Sequence, residues 1–267
     1  MTKPLGVQLY TFRDPARFGG QGFGLDRPTL EAIAAMGYAG VETVDVPGGD
    51  AREARTVLAD LGLAVTSSHT WAGIDNLEAF ERASAAIADL GSPRIVVSGS
   101  GFEAEGAVEA FADRLGAAAE AAARHGLGLA YHNHSAELAT VDGATILDRL
   151  AALTDPAIRF QVDIFWVVVG GADPAEVITR LGRRVVSLHL KDGVTLPASA
   201  DGGLPFVNVP VGSGAVDPRA AIAAAEALSD VEWLIVEFDH VEGPPIEGVR
   251  GSIDNLLAAG LGRGRSA

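Results

Sequence analysis

The sequence predicts an α/β fold of the (β/α)8 barrel class, or TIM barrel, formed by a single domain over residues 1–267. Three observations predict it. Eight short apolar segments are each followed by a helical pattern, so strand and helix alternate eight times. The segments start 24 to 48 residues apart, which fits a barrel of about 250 residues with roughly 31 per unit. Glycine repeatedly marks the point where a helical pattern stops.

The eight predicted strands are rich in Val, Ile and Leu, as buried parallel strands are. In chain order they are LGVQLY (5–10), GVETVD (40–45), AVTSSH (64–69), RIVVSG (94–99), GLAYHNH (128–134), RFQVDIF (159–165), VVSLHLKD (185–192) and WLIVEFD (233–239). The C-terminal ends of all strands of a parallel barrel meet at one face. Residues at those ends are therefore expected to share one pocket.

Helical patterns fill the intervals. They are TLEAIAAMG (29–37), AREARTVLADLG (51–62), NLEAFERASAAIADLG (76–91), an Ala-rich stretch (105–125), TILDRLAAL (145–153), PAEVITRLG (174–182), PRAAIAAAEALS (218–229) and GSIDNLLAAGLG (251–262). Four helix ends are predicted at glycines, which readily adopt the left-handed C-cap conformation: Gly37, Gly62, Gly91 and Gly126. The Asp-Pro pairs at 173–174 and 217–218 predict an N-cap followed by proline in the first turn.

The long interval before the last strand predicts an extended βα loop at about residues 193–216, over the mouth of the barrel. Its apolar periodicity is too weak for a second domain. An open doubly wound sheet shares the βα alternation and is the alternative fold. The glycines after the first strand come late and do not spell GxGxxG before a helix, and no P-loop lysine motif occurs. The barrel is therefore favoured.

Composition narrows the classes of partner. The chain has 35 acidic and 20 basic residues and a net charge of −15, which argues against a nucleic-acid partner because phosphate binding needs clustered Lys and Arg. The apolar runs are of strand length, so no membrane-spanning segment is predicted. The N-terminus lacks signal-peptide features, and without cysteine there is neither a disulfide framework nor a thiolate site. We expect a cytoplasmic protein acting on a small neutral or weakly charged molecule, and a homo-oligomer is compatible with the sequence.

Residues able to bind a divalent metal stand at or near the ends of the last four predicted strands. They are His132 and His134, Asp163, His189 and Glu237. Taken singly, each has an ordinary interpretation, since a strand histidine is usually a core or rim residue and a carboxylate can cap the next helix. Asp163 and Glu237 have apolar neighbours, where an isolated carboxylate is costly without a cation or hydrogen-bond partners. Together the residues favour a site for one ion of Mn, Co, Mg or Zn.

At these positions the chain resembles the sugar phosphate isomerase/epimerase proteins of the xylose-isomerase-like TIM-barrel superfamily. The resemblance is carried, in the family's order, by GVQLYTFRD, GYAGVE, YHNHSAEL, QVDIFWVVVGGADP, SLHLKDG, VGSGAVDP and IVEFD. It implies a metal-dependent sugar isomerase or epimerase acting on a sugar or keto-sugar. In the ketose epimerases of this superfamily, Glu, Asp, His and Glu from the last four strands hold one metal. The resemblance carries Asp163, His189 and Glu237 onto three of these positions.

The fourth position departs from the pattern. Where the epimerases place a metal-binding and catalytic glutamate, this chain has His132, with Glu137 five residues later. Either His132 completes the metal site or the chain bulges and Glu137 reaches in, and His132 is favoured. Epimerases use two opposed glutamates, one to remove a proton and one to return it. The loss of one therefore weakens the case for simple 3-epimerisation.

The resemblance still implies proton abstraction next to a carbonyl, an enediolate, and a metal acting as Lewis acid. Glu237 is the expected base, with Glu137 as the alternative. Lys191 follows His189 by two residues and faces the same mouth, where it can stabilise an oxyanion or protonate a leaving hydroxyl. Its structural alternative is a rim lysine paired with Asp192. The candidates for substrate contacts are Glu42, His69, His134 and Trp166, and further ones near the first strand are Gln8, Tyr10 and Arg13.

The predicted site residues are compatible with more than one function. A metal-dependent lyase or dehydratase of a keto-sugar, inosose or 3-keto-glycoside is the alternative, because the chain also resembles inosose dehydratases and keto-glycoside-processing relatives. Apurinic endonucleases share this barrel, but they carry three zinc ions and need more ligands than six histidines readily supply. A non-catalytic sugar-binding barrel is disfavoured because Asp163, His189 and Glu237 are retained.

Overall fold

The structure is a computed structural model that describes residues 2–13, 26–102, 104–141, 143–195, 206–228 and 230–265. Eight parallel strands close into a barrel in which neighbours in sequence pair and the first strand pairs with the last. They are β1 (Leu5–Gln8), β2 (Gly40–Val44), β3 (Ala64–His69), β4 (Arg94–Val97), β5 (Gly128–His132), β6 (Arg159–Asp163), β7 (Val185–Leu190) and β8 (Trp233–Val236). The predicted (β/α)8 barrel is confirmed, and each strand begins at the predicted residue.

Helices cover the outside of the barrel and bury their apolar faces against the strands. They are α1 (Arg27–Met36), α2 (Ala51–Asp60), α3 (Leu77–Leu90), α4 (Ala107–Ala123), α5 (Ile146–Leu153), α6 (Ile164–Val169), α7 (Pro174–Leu181), α8 (Pro218–Ala227) and α9 (Pro245–Ala258). The four predicted glycine helix ends all have positive φ. Asp173 and Asp217 cap α7 and α8 through their side chains, as predicted. Within the described residues, no helix is long and apolar enough to cross a membrane.

Two helices depart from the sequence prediction. The predicted strand 159–165 ends at Asp163, whose carboxylate accepts a hydrogen bond from the Trp166 backbone N–H (2.9 Å) and so starts α6. A short apolar run does not distinguish strand from helix by periodicity, and here the N-cap decides. Helix α9 begins at Pro245, six residues before the predicted start, because proline suits the first turn. Gly248 lies in that turn, where a β-carbon would collide with the Phe238 ring.

The predicted loop 193–216 carries secondary structure over part of its length. Asp192–Thr195 pairs antiparallel with Phe206–Val209, and residues 196–205 of the predicted loop lie outside the described residues. The buried carboxylate of Asp192 holds the base of this hairpin by accepting four backbone N–H groups at 2.8–3.0 Å, those of Gly193, Gly212, Gly214 and Val216. One side chain therefore organises the segment that leads away from β7 at the mouth of the barrel.

Candidate metal centre

Four of the predicted residues meet at the C-terminal face of the barrel. His132, Asp163 and His189 lie at the ends of β5, β6 and β7, and Glu237 directly follows β8. Each offers one ligand atom, these atoms all lie within 4.8 Å of one another, and all four side chains are buried. Two imidazole nitrogens and two carboxylate oxygens form a donor set that suits a divalent ion.

Asp163 has its two carboxylate oxygens in different surroundings. Oδ1 accepts the Trp166 N–H (2.9 Å) and caps α6, while the backbone N–H of Asp163 donates to Asn133 Oδ1 (3.1 Å). Oδ2 is buried, forms an ion pair with Lys191 (Nζ at 3.0 Å), and accepts no hydrogen bond from the residues that the structure describes. Oδ1 therefore caps a helix, as one interpretation of the sequence expected, whereas Oδ2 faces the ammonium group of Lys191.

The buried groups around the donor set carry more negative than positive charge, which suits a metal ion. Lys191 and a protonated His189 face four carboxylates, those of Glu42, Asp163, Glu237 and Asp239. Counted as ionised, the group keeps a negative surplus that a divalent cation neutralises. This surplus fits a divalent ion, and so does the buried Asp163 Oδ2, which faces Lys191 and has no hydrogen bond within the described ranges.

His189 lies between two glutamates. Its Nδ1 is 2.9 Å from Glu237 Oε2 and its Nε2 is 2.5 Å from Glu42 Oε2. Burial lowers the pKa of His189, but the two carboxylates outweigh it and raise the pKa to about 10. Burial likewise raises the pKa of Glu237, and Lys191 and His189 hold it well below its usual range. Without a metal ion, the two groups therefore form an ion pair.

Lys191 is fully buried and surrounded by carboxylates. Its Nζ lies 2.6 Å from Asp239 Oδ2, 2.8 Å from Glu237 Oε2 and 3.0 Å from Asp163 Oδ2. Burial lowers the pKa of Lys191, but these carboxylates raise it well above its ordinary value. The interpretation as a rim lysine paired with Asp192 is wrong, because Lys191 is buried and the Asp192 carboxylate is taken by backbone amides.

The two candidates for the fourth ligand position, His132 and Glu137, have different surroundings. The buried imidazole of His132 belongs to the donor set, and its Nδ1 lies 3.0 Å from Gln161 Oε1. Glu137 lies in a short 3-10 turn, where its carboxylate accepts the Tyr131 hydroxyl (2.5 Å) and the His134 backbone N–H (3.1 Å). Glu137 is thus buried outside the donor set. Burial and the neighbouring His189 hold the pKa of His132 well below its usual range, which keeps the ring neutral.

Glu42, at the third residue of β2, lies deeper than a substrate contact would. Its side chain is fully buried, and both oxygens accept hydrogen bonds. The donors are Ser67 Oγ (2.5 Å) and Gln161 Nε2 (2.7 Å) to Oε1, and Gln8 Nε2 (2.7 Å) and His189 Nε2 (2.5 Å) to Oε2. Sequence reasoning missed Gln161 and Asp239. Each lies two residues from a predicted ligand and on the same side of the chain, so the period-two rule was the available signal.

Three further candidates surround the donor set. His69 Nε2 lies 2.8 Å from Gln161 Oε1, and its ring stacks on His189 at 5.5 Å. The ring of His134 lies 5.0 Å from His132 and 5.7 Å from Trp166. The indole N–H of Trp166 is buried and has no hydrogen-bond partner among the residues that the structure describes. These side chains form a polar and aromatic wall beside the cluster.

A second pair of aromatic residues lies further out. Trp71 follows β3, is 63% exposed, and has its ring centroid 6.1 Å from that of Tyr10. Arg13 lies over the Tyr10 ring at 4.1 Å. Asp45 adopts a left-handed conformation (φ 47°) and accepts a hydrogen bond from Thr70 (2.6 Å), next to Trp71. The exposed indole is therefore attached to a well-defined turn.

The chain matches a known protein family. A family model described as xylose isomerase-like TIM barrel matches residues 30–259. The rhizopine catabolism protein MocC of Rhizobium meliloti is 29% identical over 167 residues, which cover 58% of this chain and 51% of MocC. An inosose dehydratase of Geobacillus kaustophilus is 36% identical over 85 residues, which cover 32% of this chain and 27% of the dehydratase. The chain thus spans about half of the first relative and about a quarter of the second.

Solved structures share the fold. A sugar phosphate isomerase/epimerase from Parabacteroides distasonis superposes with a TM-score of 0.76 at 21% identity, covering 98% of this chain and 96% of the other. The IolI protein, solved with a bound zinc atom, superposes with a TM-score of 0.71 at 14% identity, covering 97% of both chains. At these identities the likeness shows the fold alone.

Proposed function

The chain belongs to the xylose isomerase-like TIM-barrel family, and from that premise we propose a divalent-metal-dependent sugar isomerase that removes a proton next to a carbonyl. The observation that supports this most is the buried donor set of His132, Asp163, His189 and Glu237 at the C-terminal face of the barrel. A sugar or keto-sugar is the proposed substrate, in line with the relatives in this family.

The four residues would hold one ion of Mn, Co, Mg or Zn. When bound, that ion supplies Lewis-acid stabilisation of negative charge on substrate oxygens. The protein contributes a dry and rigid setting, because all four donors are buried and extend from the barrel strands or from the residue that follows one.

Glu237 is the proposed base. Its carboxylate accepts the proton from the substrate carbon next to the carbonyl, which leaves an enediolate. Lys191 Nζ lies 2.8 Å from Glu237 Oε2, so its ammonium group can stabilise the negative charge that develops on a substrate oxygen. Glu237 can then return the proton to the neighbouring carbon. The hydroxyl proton must also pass from one substrate oxygen to the former carbonyl oxygen, and Lys191 Nζ can carry it, which completes an aldose–ketose isomerisation with one carbon base.

Simple epimerisation has less support. It requires a second base on the opposite face, and Glu137 is held by Tyr131 and the His134 backbone outside the donor set. For substrate hydroxyls we propose His69, His134 and the indole N–H of Trp166, which is buried and meets no acceptor within the described part of the chain.

Elimination is the second candidate, and Lys191 favours it. Its Nζ bridges Glu237 and Asp239 (2.8 and 2.6 Å), so it can protonate a leaving hydroxyl or aglycone after Glu237 has taken the carbon-bound proton. The exposed Trp71 beside Tyr10 offers a stacking surface for an aglycone ring. An apurinic endonuclease has less support, because the net charge of −15 disfavours a nucleic-acid substrate.

Incubation of the metal-loaded protein in deuterated water with ketoses, inososes and 3-keto-glycosides tests the proposal. Carbon-bound deuterium in a recovered sugar is expected for isomerisation. Loss of water or of the aglycone would instead establish the lyase. The metal-stripped protein is the control and should show neither. The proposed function would be refuted if the metal-loaded protein neither incorporated deuterium into any of these substrates nor converted any of them.

A further inference from the structure

We propose that Glu42 and Gln161 are positioning residues that determine which nitrogen of each histidine faces the metal ion, Nδ1 of His189 and Nε2 of His132. The proposal rests on the proposed metal centre and goes further by assigning its ligand atoms. It also gives Glu42 a role other than the substrate contact expected from the sequence.

The orientation of the Gln161 amide follows from its neighbours. A carboxylate can only accept hydrogen bonds, so the amide atom 2.7 Å from Glu42 Oε1 is the NH2 group. The same NH2 group lies 3.1 Å from Ser187 Oγ. The carbonyl oxygen of Gln161 consequently faces His69 Nε2 (2.8 Å) and His132 Nδ1 (3.0 Å).

That orientation selects the tautomer of His132. An amide oxygen accepts only, so Nδ1 of His132 must carry the hydrogen that it shares with Gln161 Oε1. The lone pair of the neutral ring is then on Nε2. Nε2 is therefore the nitrogen that His132 offers to a metal ion.

Glu42 acts on His189 in the same way. Its Oε2 lies 2.5 Å from His189 Nε2, so Nε2 carries the hydrogen of this bond. The other nitrogen, Nδ1, is 2.9 Å from Glu237 Oε2, which belongs to the same donor set. A carboxylate that accepts the far N–H of a metal-binding histidine orients the ring and raises its basicity.

Protein groups occupy the hydrogen-bond acceptor positions of Glu42, so its carboxylate is not available to a substrate. Ser67, Gln161, Gln8 and His189 donate four hydrogen bonds to its two oxygens, and His69 Nε2 lies a further 3.3 Å from Oε2. A carboxylate has about four acceptor sites, and these donors fill them. With 0% exposure, the side chain cannot reach a sugar hydroxyl.

Metal affinity tests the positioning role directly. Mn2+ titration, with free Mn2+ followed by electron paramagnetic resonance, should show affinity about 10- to 100-fold lower for Glu42→Gln than for the wild type. Glu137→Gln is the matched control, because it makes the same change in a second fully buried glutamate outside the donor set. Its Mn2+ affinity should stay within about twofold of the wild type, as expected where no ligand or orienting group is altered.

The nitrogen assignment has its own test, which needs no variant. Long-range 1H–15N spectra of the zinc-loaded wild type, labelled with 15N-histidine, should show zinc on Nδ1 of His189 and on Nε2 of His132. Zinc on the opposite nitrogen of either ring would overturn the proposal, and this result stands even if Glu42→Gln does not fold. Unchanged Mn2+ affinity in folded Glu42→Gln would also overturn it while leaving the metal centre intact. A wild type that binds neither ion would refute the proposed function itself.

Discussion

Replacing Lys191 by methionine tests how far the buried carboxylates depend on a cation. The lysine Nζ lies 2.6–3.0 Å from oxygens of Asp163, Glu237 and Asp239, and the side chain is fully buried. Methionine keeps most of the volume and removes the charge. Breaking a buried ion pair costs about 3–5 kcal/mol, so the metal-free folding equilibrium constant should fall by roughly 10²- to 10⁴-fold.

A bound metal ion should remove most of this cost. Asp163 and Glu237 are proposed ligands, so the ion neutralises them in place of the ammonium group. The remaining cost is the loss of the ion pair between Lys191 and Asp239. Because the Asp239 side chain is one-fifth exposed, this pair is worth about 1 kcal/mol or less. Urea unfolding in EDTA and in saturating Mn2+ measures both values, provided that circular dichroism and tryptophan fluorescence report coincident transitions.

Arg82→Met is the control, since Arg82 pairs with Glu78 on the exposed surface of α3. The loss there should be about 0.5 kcal/mol or less with or without metal. The reasoning about Lys191 would be refuted if Lys191→Met lost the same free energy of unfolding in EDTA and in Mn2+. A loss below about 1 kcal/mol in EDTA would refute it as well.

Three other changes give independent checks. Gly40→Ala places a β-carbon 2.7 Å from the Ala64 carbonyl oxygen, so urea unfolding should show a loss of about 1–3 kcal/mol; unchanged stability would contradict this packing. Asp192→Ala leaves four backbone N–H groups without their acceptor, and their hydrogen exchange should accelerate by about tenfold or more; unaltered exchange would show that another group holds the hairpin. If elimination is the reaction, Trp71→Ala should raise KM for an aryl 3-keto-glycoside by about two- to tenfold. KM for an inosose, which has no second ring, should not change, and an equal rise for both would exclude stacking on Trp71.

The sequence was most informative about the strands. Their first residues could be predicted because buried parallel strands are continuous apolar runs between glycine or polar punctuation. The strand ends were predicted less well. Only β3 ends at the predicted residue, and the other seven end one to three residues earlier, as β5 does at His132 and β6 at Asp163. At β6 the ladder stops because Asp163 caps α6, and the apolar run that follows has no period to reveal the change.

The candidate site was predictable where the topology alone brings residues together. His132, Asp163 and His189 end neighbouring strands, so the barrel places them side by side. The sequence favoured His132 over Glu137 but could not show where Glu137 lies, because its position depends on a 3-10 turn that directs this carboxylate back to Tyr131. Contacts between side chains distant in sequence, such as Glu42 with His189, depend on rotamers that periodicity does not specify.

Equilibrium binding of a divalent ion to the wild type and to Asp163→Asn tests whether the four buried donors form a metal site. The amide oxygen introduced by this change can still accept the Trp166 N–H that caps α6, while the carboxylate oxygen that faces Lys191, Oδ2, is lost. We expect one Mn2+, Co2+, Mg2+ or Zn2+ ion per wild-type chain. Folded Asp163→Asn should bind the ion at least about 100-fold more weakly, since a ligand is removed rather than an orienting group. A wild type without metal affinity, or an Asp163→Asn variant that binds as tightly as the wild type, would contradict this expectation.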